Sequence, residues 1–482
     1  MNIKSFYQIR IYLHSLLVIL LLAVFTVGCS DDENKDSGDE PTQEPVFTAF
    51  SPEKGKAGDL ITITGSYFGT DPSRITVLIN NTISAISHID DNTIEVTVPE
   101  DCGSGKVHVG LRRGQSGTLQ LFEKIFENLF SYTISANVST FAGRTGLKNE
   151  YTFGALLDSK LYAPGQLLVD NDDNIYLSEW NRGIRLLTDG QTSRLLDFYH
   201  STDNVGGFGT GDWMSDFKAM DFSPNGDRLW LLGARPASRG QFLGYALKSE
   251  NYANYYGDST EDMDGFVGLA VNPVDGTIAL TRNLWGPFEE LYIYDIETHK
   301  ATELSGYTKT WASSESHPVF SKDGRRLFII HQGLHYISHY DYDPVTKTIS
   351  NEIEEFAGKK ELREDAGDGN RIKGYGQGYA DGKGSAARFD APQWGCCDNA
   401  GNLYVTDRRN HCIRRIDGEG NVTTLAGAPC PGQPTNTNAF KNGELLEAVF
   451  NQPSGICLDS KGNIYVSEEE FADIRKIVQG NE

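Results

Sequence analysis

Residues 378–427 read GYADGKGSAARFDAPQWGCCDNAGNLYVTDRRNHCIRRIDGEGNVTTLAG, and this stretch decides the fold. Short apolar and β-branched runs follow Pro392 and recur at 403–406, 412–416 and 422–425. Gly, Asn and Asp separate these runs, which predicts four short antiparallel strands joined by turns. A sheet this small cannot bury both of its faces, so the pattern also predicts further copies that stack against it.

The C-terminal part of the chain contains those copies. The two strong copies repeat the strand and turn residues at the same spacing, and three weaker copies keep only the turn between the first two strands. The strong copies lie at 161–186 and 449–477, and the weaker ones at 222–230, 271–279 and 320–328. Together with residues 378–427 they predict an array of six units, each about 40 residues long.

The strong copies resemble NHL repeats, which implies a six-bladed β-propeller of four-stranded sheets over residues 136–482. The sequence stops soon after Ile477, before a fourth strand of the last unit. Residues 137–142, Asn-Val-Ser-Thr-Phe-Ala, mirror Asn-Val-Thr-Thr-Leu-Ala at 421–426. We therefore expect residues 137–142 to supply the closing strand of the sixth blade, which would leave no open edge in the ring.

The N-terminal segment predicts export. Residues 1–28 carry Lys4 and Arg10, no acidic residue, and an apolar run at 16–25, as a signal peptide does. The same run is short for a transmembrane anchor. Val27-Gly28-Cys29 follows and resembles a bacterial lipoprotein box, which implies lipidation of Cys29.

The acidic residues after Cys29 resemble the tag that directs Bacteroidetes lipoproteins to the outer face of the outer membrane. An acidic run is also typical of a solvated linker. Residues 29–44 are rich in Asp, Glu, Ser and Pro, so we expect an acidic disordered tether. The implied location is the outer membrane, lipid-anchored and facing the cell exterior.

Residues 45–135 predict a small β-sandwich, because alternating strand patterns recur there between turn signals. Several motifs in this segment resemble the IPT/TIG family, namely Ser51-Pro52, Gly65-Ser-Tyr-Phe68 and Val98-Pro99. The resemblance implies an immunoglobulin-like domain that serves as a spacer or interaction module. The predicted fold is therefore all-β, an immunoglobulin-like IPT/TIG sandwich followed by a six-bladed NHL-like β-propeller.

The charge balance excludes one class of partner. The formal net charge is −23 and becomes −25 when the signal peptide with Lys4 and Arg10 is removed. Nucleic-acid phosphates require clustered Lys and Arg, so we expect no nucleic-acid partner. The cysteines other than Cys29 show no disulfide or zinc spacing, and Cys396, Cys397 and Cys457 are expected to be buried because they lie in apolar strand patterns. A bridge from Cys396 or Cys397 to Cys412 is the alternative.

Strand topology predicts one loop-rich face on the propeller. In an up-and-down blade, the loop before the first strand and the loop between the second and third strands lie at the same end. We expect the inserts at 359–388 and 428–449 to overhang this face. Aromatic rings beside planar polar groups suit sugars, and loops on a rigid scaffold commonly bind ligands. The predicted ligand-binding residues are Trp180, Asn181, Arg182, Arg282, Trp285, His331, Gln393, Trp394, Arg408, Arg409 and Glu468.

The repeat pattern distinguishes residues expected to be structural from candidate binding residues. Certain positions recur in NHL-type repeats and are expected to be structural, namely Asp407, Asn410, His411, Arg414 and Arg475. For the tryptophans Trp180, Trp285 and Trp394, ligand binding and packing remain open alternatives. Residues 374–381 are not a phosphate loop, because no helix follows them.

Catalysis is the main alternative to binding. Some propellers that resemble this chain hold a divalent metal in the central channel and act as lactonases or lyases. Such a site needs converging carboxylates or histidines with an open position for water. Glu179, His331, Asp407 and Glu468 are candidates, but they show no ligand spacing, and no Ser-His-Asp arrangement is legible. We expect no catalytic residue, no metal ligand and no cofactor, although the resemblance leaves room for a divalent cation in the channel.

Proteins with these two domains resemble accessory components of polysaccharide-utilisation systems. The resemblance implies a surface lipoprotein that binds a polysaccharide or oligosaccharide beside an outer-membrane porin-type importer and its lipoprotein. This step rests on family resemblance, since a fold alone does not fix a function. A metal-dependent hydrolase or lyase acting on a sugar, and a protein interaction scaffold in an outer-membrane complex, are the alternatives.

Overall fold

The structure is a computed structural model. It describes residues 43–480 except 101, 115–118, 144–149, 181, 198–215, 235–240, 259–264, 283–287, 305–309, 312–314, 362–375, 434–435 and 437–439. The predicted signal peptide, Cys29 and almost all of the predicted tether lie outside these residues. No helix within the described ranges is both long and apolar enough to cross a membrane. The chain divides into two compact units, and the second begins at Thr133.

The N-terminal unit is a β-sandwich. One sheet has the strand order β1-β3-β7-β6 and the other β2-β9-β8-β4-β5. A 3-10 turn at Pro72–Arg74 precedes β4. The strands are β1 (Val46–Ser51), β2 (Lys54–Gly55), β3 (Leu60–Ser66), β4 (Ile75–Ile79), β5 (Thr82–Ile83), β6 (Ala85–Ile89), β7 (Thr93–Thr97), β8 (Gly105–Arg113) and β9 (Gln120–Tyr132).

Alternation along these strands builds the core of the sandwich. Every second residue, such as Ile61 and Ile63 of β3, points inward and is fully buried. Gly65 ends this run because a Cβ there would lie 1.9 Å from the carbonyl oxygen of Val46 and 2.4 Å from the ring of Phe68. The Gly-x-x-Phe motif is therefore a packing requirement of the sandwich.

The C-terminal unit is built from six sheets within the described residues. Strand β10 (Asn137–Gly143) comes first. Blade 1 contains β11 (Gly154–Ala155), β12 (Pro164–Val169), β13 (Ile175–Glu179), β14 (Gly183–Thr188) and β15 (Gln191–Asp197). Blade 2 contains β16 (Asp216–Phe222), β17 (Arg228–Ala234), β18 (Gln241–Leu247) and β19 (Tyr255–Gly257). Blade 3 contains β20 (Phe266–Val271), β21 (Ile278–Arg282), β22 (Phe288–Asp295), β23 (Lys300–Glu303) and β24 (Thr310–Trp311).

The remaining three blades follow in chain order. Blade 4 contains β25 (Ser316–Phe320), β26 (Arg326–His331), β27 (Tyr336–Asp343) and β28 (Thr348–Gly358). Blade 5 contains β29 (Gly382–Lys383), β30 (Pro392–Cys397), β31 (Leu403–Asp407), β32 (Cys412–Ile416) and β33 (Asn421–Ala426). Blade 6 contains β34 (Pro453–Leu458), β35 (Ile464–Glu468) and β36 (Asp473–Val478). Short 3-10 turns occur at Lys248–Glu250, Gln332–Leu334 and Arg408–Asn410.

The inner strands of the blades form a closed ring. Strands β12, β16, β20, β25, β30 and β34 each lie beside the next, and β34 lies beside β12. Strand β10 pairs antiparallel with β36, Val138 opposite Ile477, and so becomes the outer strand of blade 6. The sequence that opens the unit thus completes its last sheet, and the predicted six-bladed propeller is confirmed as the fold.

Turns between the first and second strands explain why three copies are strong in sequence. In blade 5, Asp398 accepts hydrogen bonds from the backbone N–H of Ala400 and Asn402 and from the side chains of Asn402 and Tyr404. The same Asp, Asn and Tyr positions recur in blade 1 (Asp170) and blade 6 (Asp459). Blades 2 and 4 have a turn of the same length, but there a serine hydroxyl accepts from the backbone N–H of the residue that opens the second strand, so their sequences diverge from the repeat.

The inserts lie differently from the prediction. Gly382–Lys383 pairs with Asn421–Val422 on the outer strand of blade 5, and Gly443 pairs with Val138 on the outer strand of blade 6. These two parts cover outer sheet edges, whereas Cys430 and Gln433 of the second insert contact Asn410 and His411 in the loop between the second and third strands of blade 5, on the predicted face. The edge bonds explain the difference, because an exposed outer strand offers unpaired backbone groups. Most of the first insert, 362–375, lies outside the described residues. All six described cysteines are free thiols, so the alternative bridge to Cys412 does not form.

Candidate functional site

A buried arginine clamp recurs in blades 1, 5 and 6. In each blade a carboxylate at the end of the second strand pairs with an arginine on the third strand, and both side chains are enclosed. The pairs are Glu179–Arg185 at 2.8 Å, Asp407–Arg414 at 2.8 Å and Glu468–Arg475 at 3.0 Å. Their repetition marks them as scaffold, as the sequence predicted for Asp407, Arg414 and Arg475.

The clamp of blade 6 shows what the arrangement does. The guanidinium of Arg475 donates to the carbonyl oxygens of Val449 and Lys441 and stacks between the rings of Phe440 and Phe450. These four residues belong to the insert before the first strand, so the arginine fastens the insert to its blade. Equivalent bonds fasten the insert of blade 5 to Arg414 and that of blade 1 to Arg185.

Glu468 is therefore removed from the predicted ligand-binding residues. Its side chain is fully buried, accepts from the backbone N–H of Asn451 and pairs with Arg475. Burial, reinforced by the nearby Asp473, raises the pKa of Glu468 well above its usual range. The sequence prediction failed because the repeat that marks Asp407 as scaffold carries a Glu in blade 6.

His331 is also removed from the predicted ligand-binding residues. Its ring is fully buried, its Nε2 lies 2.9 Å from Oγ of Ser338, and it stacks on Tyr336 with centroids 4.3 Å apart. The residue occupies the last position of β26, where the side chain turns into the blade and away from the loop. A buried, stacked imidazole packs the blade and has no exposed surface for a ligand.

A polar cluster lies where the loop-rich face meets the central channel. We name it the channel-mouth cluster. It contains Lys218 of blade 2, Glu315 and His317 of blade 4, Gln393, Trp394 and Arg408 of blade 5, and Glu469 of blade 6. Blades 2 and 4 are not neighbours in the ring, so side chains from both can interact only across the channel.

Electrostatics place Glu315 at the centre of this cluster. Its carboxylate lies within interaction range of Lys218 and Arg408, and 3.7 Å from Nε2 of His317. Burial alone would raise the pKa of Glu315, but His317 and the two cations outweigh it and lower the pKa below its ordinary value. Glu315 is therefore ionised at neutral pH and balances the cations around it.

His317 and Trp394 form the floor of the cluster. Their rings stack with centroids 3.9 Å apart, across the boundary between blades 4 and 5. Trp394 is only 8% exposed and His317 2% exposed, so neither ring offers an open platform. Oε1 of Gln393 and Nε of Arg408 have no hydrogen-bond partner among the described residues, and Nε2 of His317 faces the carboxylate of Glu315 at 3.7 Å.

An ion pair joins blades 5 and 6 above this floor. Nη2 of Arg408 lies 2.6 Å from Oε2 of Glu469, and both side chains are partly exposed, 23% and 45%. Arg408 follows β31 directly, whereas Glu469 follows β35 at the same position of its blade. The pair therefore links the equivalent loops of two adjacent blades, and it is exposed to solvent.

β-Bulges direct several of these side chains toward the channel. Register shifts occur near the start of the inner strands β12, β16 and β30, at Gln166, Lys218 and Gln393–Trp394. A bulge re-aims the extra residue out of the sheet. Gln166 uses this position to bond both backbone groups of Met220 in the next blade, which makes it a structural latch.

The other predicted residues lie farther out on the loops between second and third strands. Trp180 is 58% exposed, and the guanidinium of Arg182 stacks over Tyr162 at 4.7 Å. Arg282 contacts Glu290 at 3.7 Å, and Arg409 is exposed. Arg409 follows Arg408 in the same 3-10 turn and therefore borders the channel-mouth cluster, whereas the contacts of Arg182 with Tyr162 and of Arg282 with Glu290 lie within blades 1 and 3. Asn181 and Trp285 lie outside the described residues.

Sequence reasoning missed Lys218, Glu315, His317 and Glu469. The bulge at Lys218 corresponds to that at Gln166, and aligning the first strands by their bulges would have found it. Glu469 could have been identified from sequence, because it occupies in blade 6 the position that Arg408 occupies in blade 5. Within the described ranges, no group of three His, Cys, Asp or Glu side chains is arranged to hold a metal ion.

Known proteins resemble both units. Residues 45–123 match the family model for the IPT/TIG domain. A segment of 101 residues, 20% of this chain, is 34% identical to human NHL repeat-containing protein 2. The chain spans no more than 13% of the length of the curated relatives it matches.

Two solved structures extend over nearly the whole chain. An auxiliary nutrient binding protein from Bacteroides ovatus ATCC 8483 is 22% identical, with a TM-score of 0.69, and the match covers 92% of this chain and 99% of that chain. An auxiliary nutrient binding protein from Bacteroides thetaiotaomicron VPI-5482 is also 22% identical, with a TM-score of 0.57 and the same coverage. At this identity the likeness establishes the fold. The chain thus combines an N-terminal IPT/TIG immunoglobulin-like domain with a six-bladed NHL-like β-propeller.

Proposed function

We propose that this protein is a lipid-anchored protein of the outer cell surface that binds a polysaccharide or oligosaccharide as a non-catalytic accessory of nutrient uptake. The channel-mouth cluster carries the proposal, because four blades converge there on partly exposed polar groups. A channel mouth on a rigid propeller is a concave site with preformed geometry, as ligand sites usually are.

Two further observations support an accessory binding role. The two similar Bacteroides structures are described as auxiliary nutrient binding proteins, and they match both units of this chain. Cys29 in its lipobox-like context fits a protein held at the cell envelope through a lipid. A porin-type importer and its lipoprotein are the expected partners, since a bound glycan has to cross the outer membrane.

The arrangement of the cluster favours hydrogen bonding over aromatic stacking. Trp394 is covered by His317, so its ring cannot serve as a sugar platform without rearrangement. Gln393, Arg408 and Glu315 carry planar groups that pair with neighbouring hydroxyls. Trp180 is exposed on the outer loops and offers a separate aromatic surface for a long polysaccharide.

A glycan panel tests the proposal. The chain from residue 45 onward is screened by affinity electrophoresis and calorimetry, with product analysis of every mixture. We expect binding to at least one glycan without product. Lys218→Met should weaken that binding, and Lys461→Met, on the opposite face of blade 6, should not. Release of shortened sugars would favour the hydrolase or lyase, and retention of an importer partner without glycan affinity would favour the interaction scaffold.

A further inference from the structure

We infer that the channel-mouth cluster takes an uncharged, hydroxyl-rich glycan and discriminates against glycans that carry carboxylates. This inference rests on the proposed function. Its basis is the charge of the cluster, where the cations Lys218 and Arg408 are matched by the anions Glu315 and Glu469. A balanced site leaves no net field to draw an acidic sugar inward.

The cations are already engaged. Arg408 holds Glu469 at 2.6 Å, and Glu315 lies in the field of both Arg408 and Lys218. A ligand carboxylate would have to displace one of these protein carboxylates and would then leave it near the incoming charge. A hydroxyl can bond the remaining lone pairs and N–H groups without separating the ion pairs.

The unpaired atoms in the cluster also favour hydroxyls. Oε1 of Gln393 can only accept a hydrogen bond, and Nε of Arg408 can only donate one. Buried polar atoms of this kind are nearly always paired with protein or water in folded proteins. Both atoms are buried, so a ligand reaches them only through a bridging water or after a side-chain shift, and a carboxylate, which only accepts, would then leave Oε1 of Gln393 without a donor. A hydroxyl both donates and accepts. Neighbouring hydroxyls, or waters bound to them, can therefore pair with both Oε1 of Gln393 and Nε of Arg408.

The protein as a whole adds to this selectivity. Its formal net charge of −23, or −25 without Lys4 and Arg10, repels polyanions over about 10 Å at ordinary ionic strength. Surface-bound proteins that capture acidic polymers need a cationic field to gather them. A neutral polysaccharide meets no such barrier and approaches the loop-rich face at any salt concentration.

Matched polysaccharides test the inference on the chain from residue 45 onward. Polygalacturonate and glucuronoxylan are each compared with their carboxyl-reduced forms, and neutral glucans, mannans and xylans complete the set. Calorimetry at 0.05 M and 0.5 M NaCl should give at least tenfold tighter binding to a neutral member than to an acidic one. The neutral affinity should change less than twofold between the two salt concentrations.

A charge variant supplies the second arm. Glu315→Gln leaves the cluster with one excess cation, so we expect acidic members to gain about tenfold in affinity at low salt and to lose it at high salt. Glu419→Gln, an exposed carboxylate in the turn between the third and fourth strands of blade 5, is the matched control and should change nothing.

The outcomes separate the two claims. Tighter binding of an acidic member by the unaltered protein, with affinity falling steeply in salt, would overturn the inference and leave the proposed glycan function standing. An equal effect of Glu315→Gln and Glu419→Gln would also overturn the inference. Failure to bind any polysaccharide, charged or neutral, would overturn the inference together with the proposed function.

Discussion

Replacing Arg475 by Met should destabilise the propeller by about 3 to 5 kcal/mol at neutral pH, because Glu468, beside the buried Asp473, must then either stay charged without its cation or take up a proton. Both side chains are 0% exposed, so water cannot replace the lost charge. The variant also loses the bonds that hold the insert carbonyls of Val449 and Lys441. Arg408→Met is the matched control, since its pair with Glu469 is partly exposed and should cost about 0 to 1 kcal/mol.

Urea unfolding followed by tryptophan fluorescence measures the difference. With a slope of about 3 kcal/mol per molar urea, Arg475→Met should lower the midpoint by roughly 1 to 1.7 M, and Arg408→Met should shift it much less. Adding Glu468→Gln to Arg475→Met should restore part of the loss, because the amide needs neither a cation nor a proton and the buried Asp473 is then the one carboxylate left of this pair. Equal midpoints for the two single variants would refute the assignment of Glu468 and Arg475 to the scaffold.

Three smaller predictions concern charge, closure and packing. Burial raises the pKa of Asp221 to about 6, so the stabilising protonated form is complete below pH 3.8 and is lost as pH rises through about 6. Asp221→Asn should therefore raise the free energy of unfolding more at pH 7.5 than at pH 3.5 in urea titrations, by a difference of at most about 3 kcal/mol, and its amide keeps only one oxygen for the N–H groups of Phe222 and Val271, which costs stability at both pH values. Val138→Asp in the closing strand should lower the melting temperature of the propeller, whereas the exposed Val46→Asp should not, and equal effects would contradict ring closure. Gly65→Ala should cost the sandwich about 1 to 3 kcal/mol by calorimetry, whereas Gly110→Ala, where a Cβ meets only a side-chain carbon at 3.5 Å, should cost less than a third of that.

The fold could be predicted from sequence because it repeats. The Asp, Asn and Tyr of each strong turn serve one local bonding pattern, seen around Asp398, Asp170 and Asp459, so their spacing is legible without tertiary information. The closing strand was equally legible, because residues 137–142 had to satisfy the same pairing as residues 421–426. The three weaker copies were harder to align, because the turns of blades 2 and 4 use a serine hydroxyl and that of blade 3 uses the side chain of Asn272.

The candidate site could be predicted only in part, for a physical reason. Which side chains meet over the channel depends on how blades 2, 4, 5 and 6 are turned toward one another, and Lys218 and Glu315 are nearly 100 residues apart in sequence. The sequence also did not show which of these side chains are buried. Glu468 and Glu469 are adjacent in the chain, yet one is enclosed with Arg475 and the other faces solvent beside Arg408.

Calorimetric titration of the bound glycan against Gln393→Ala and Asn399→Ala tests the central claim most directly. Both residues lie in blade 5, Gln393 at the channel mouth and the exposed Asn399 in the turn at the opposite end. Gln393→Ala should weaken binding about 3- to 10-fold, the value of one neutral hydrogen bond, and Asn399→Ala should leave it unchanged. Unchanged binding by Gln393→Ala, or equal losses in both variants, would contradict a ligand site at the channel mouth.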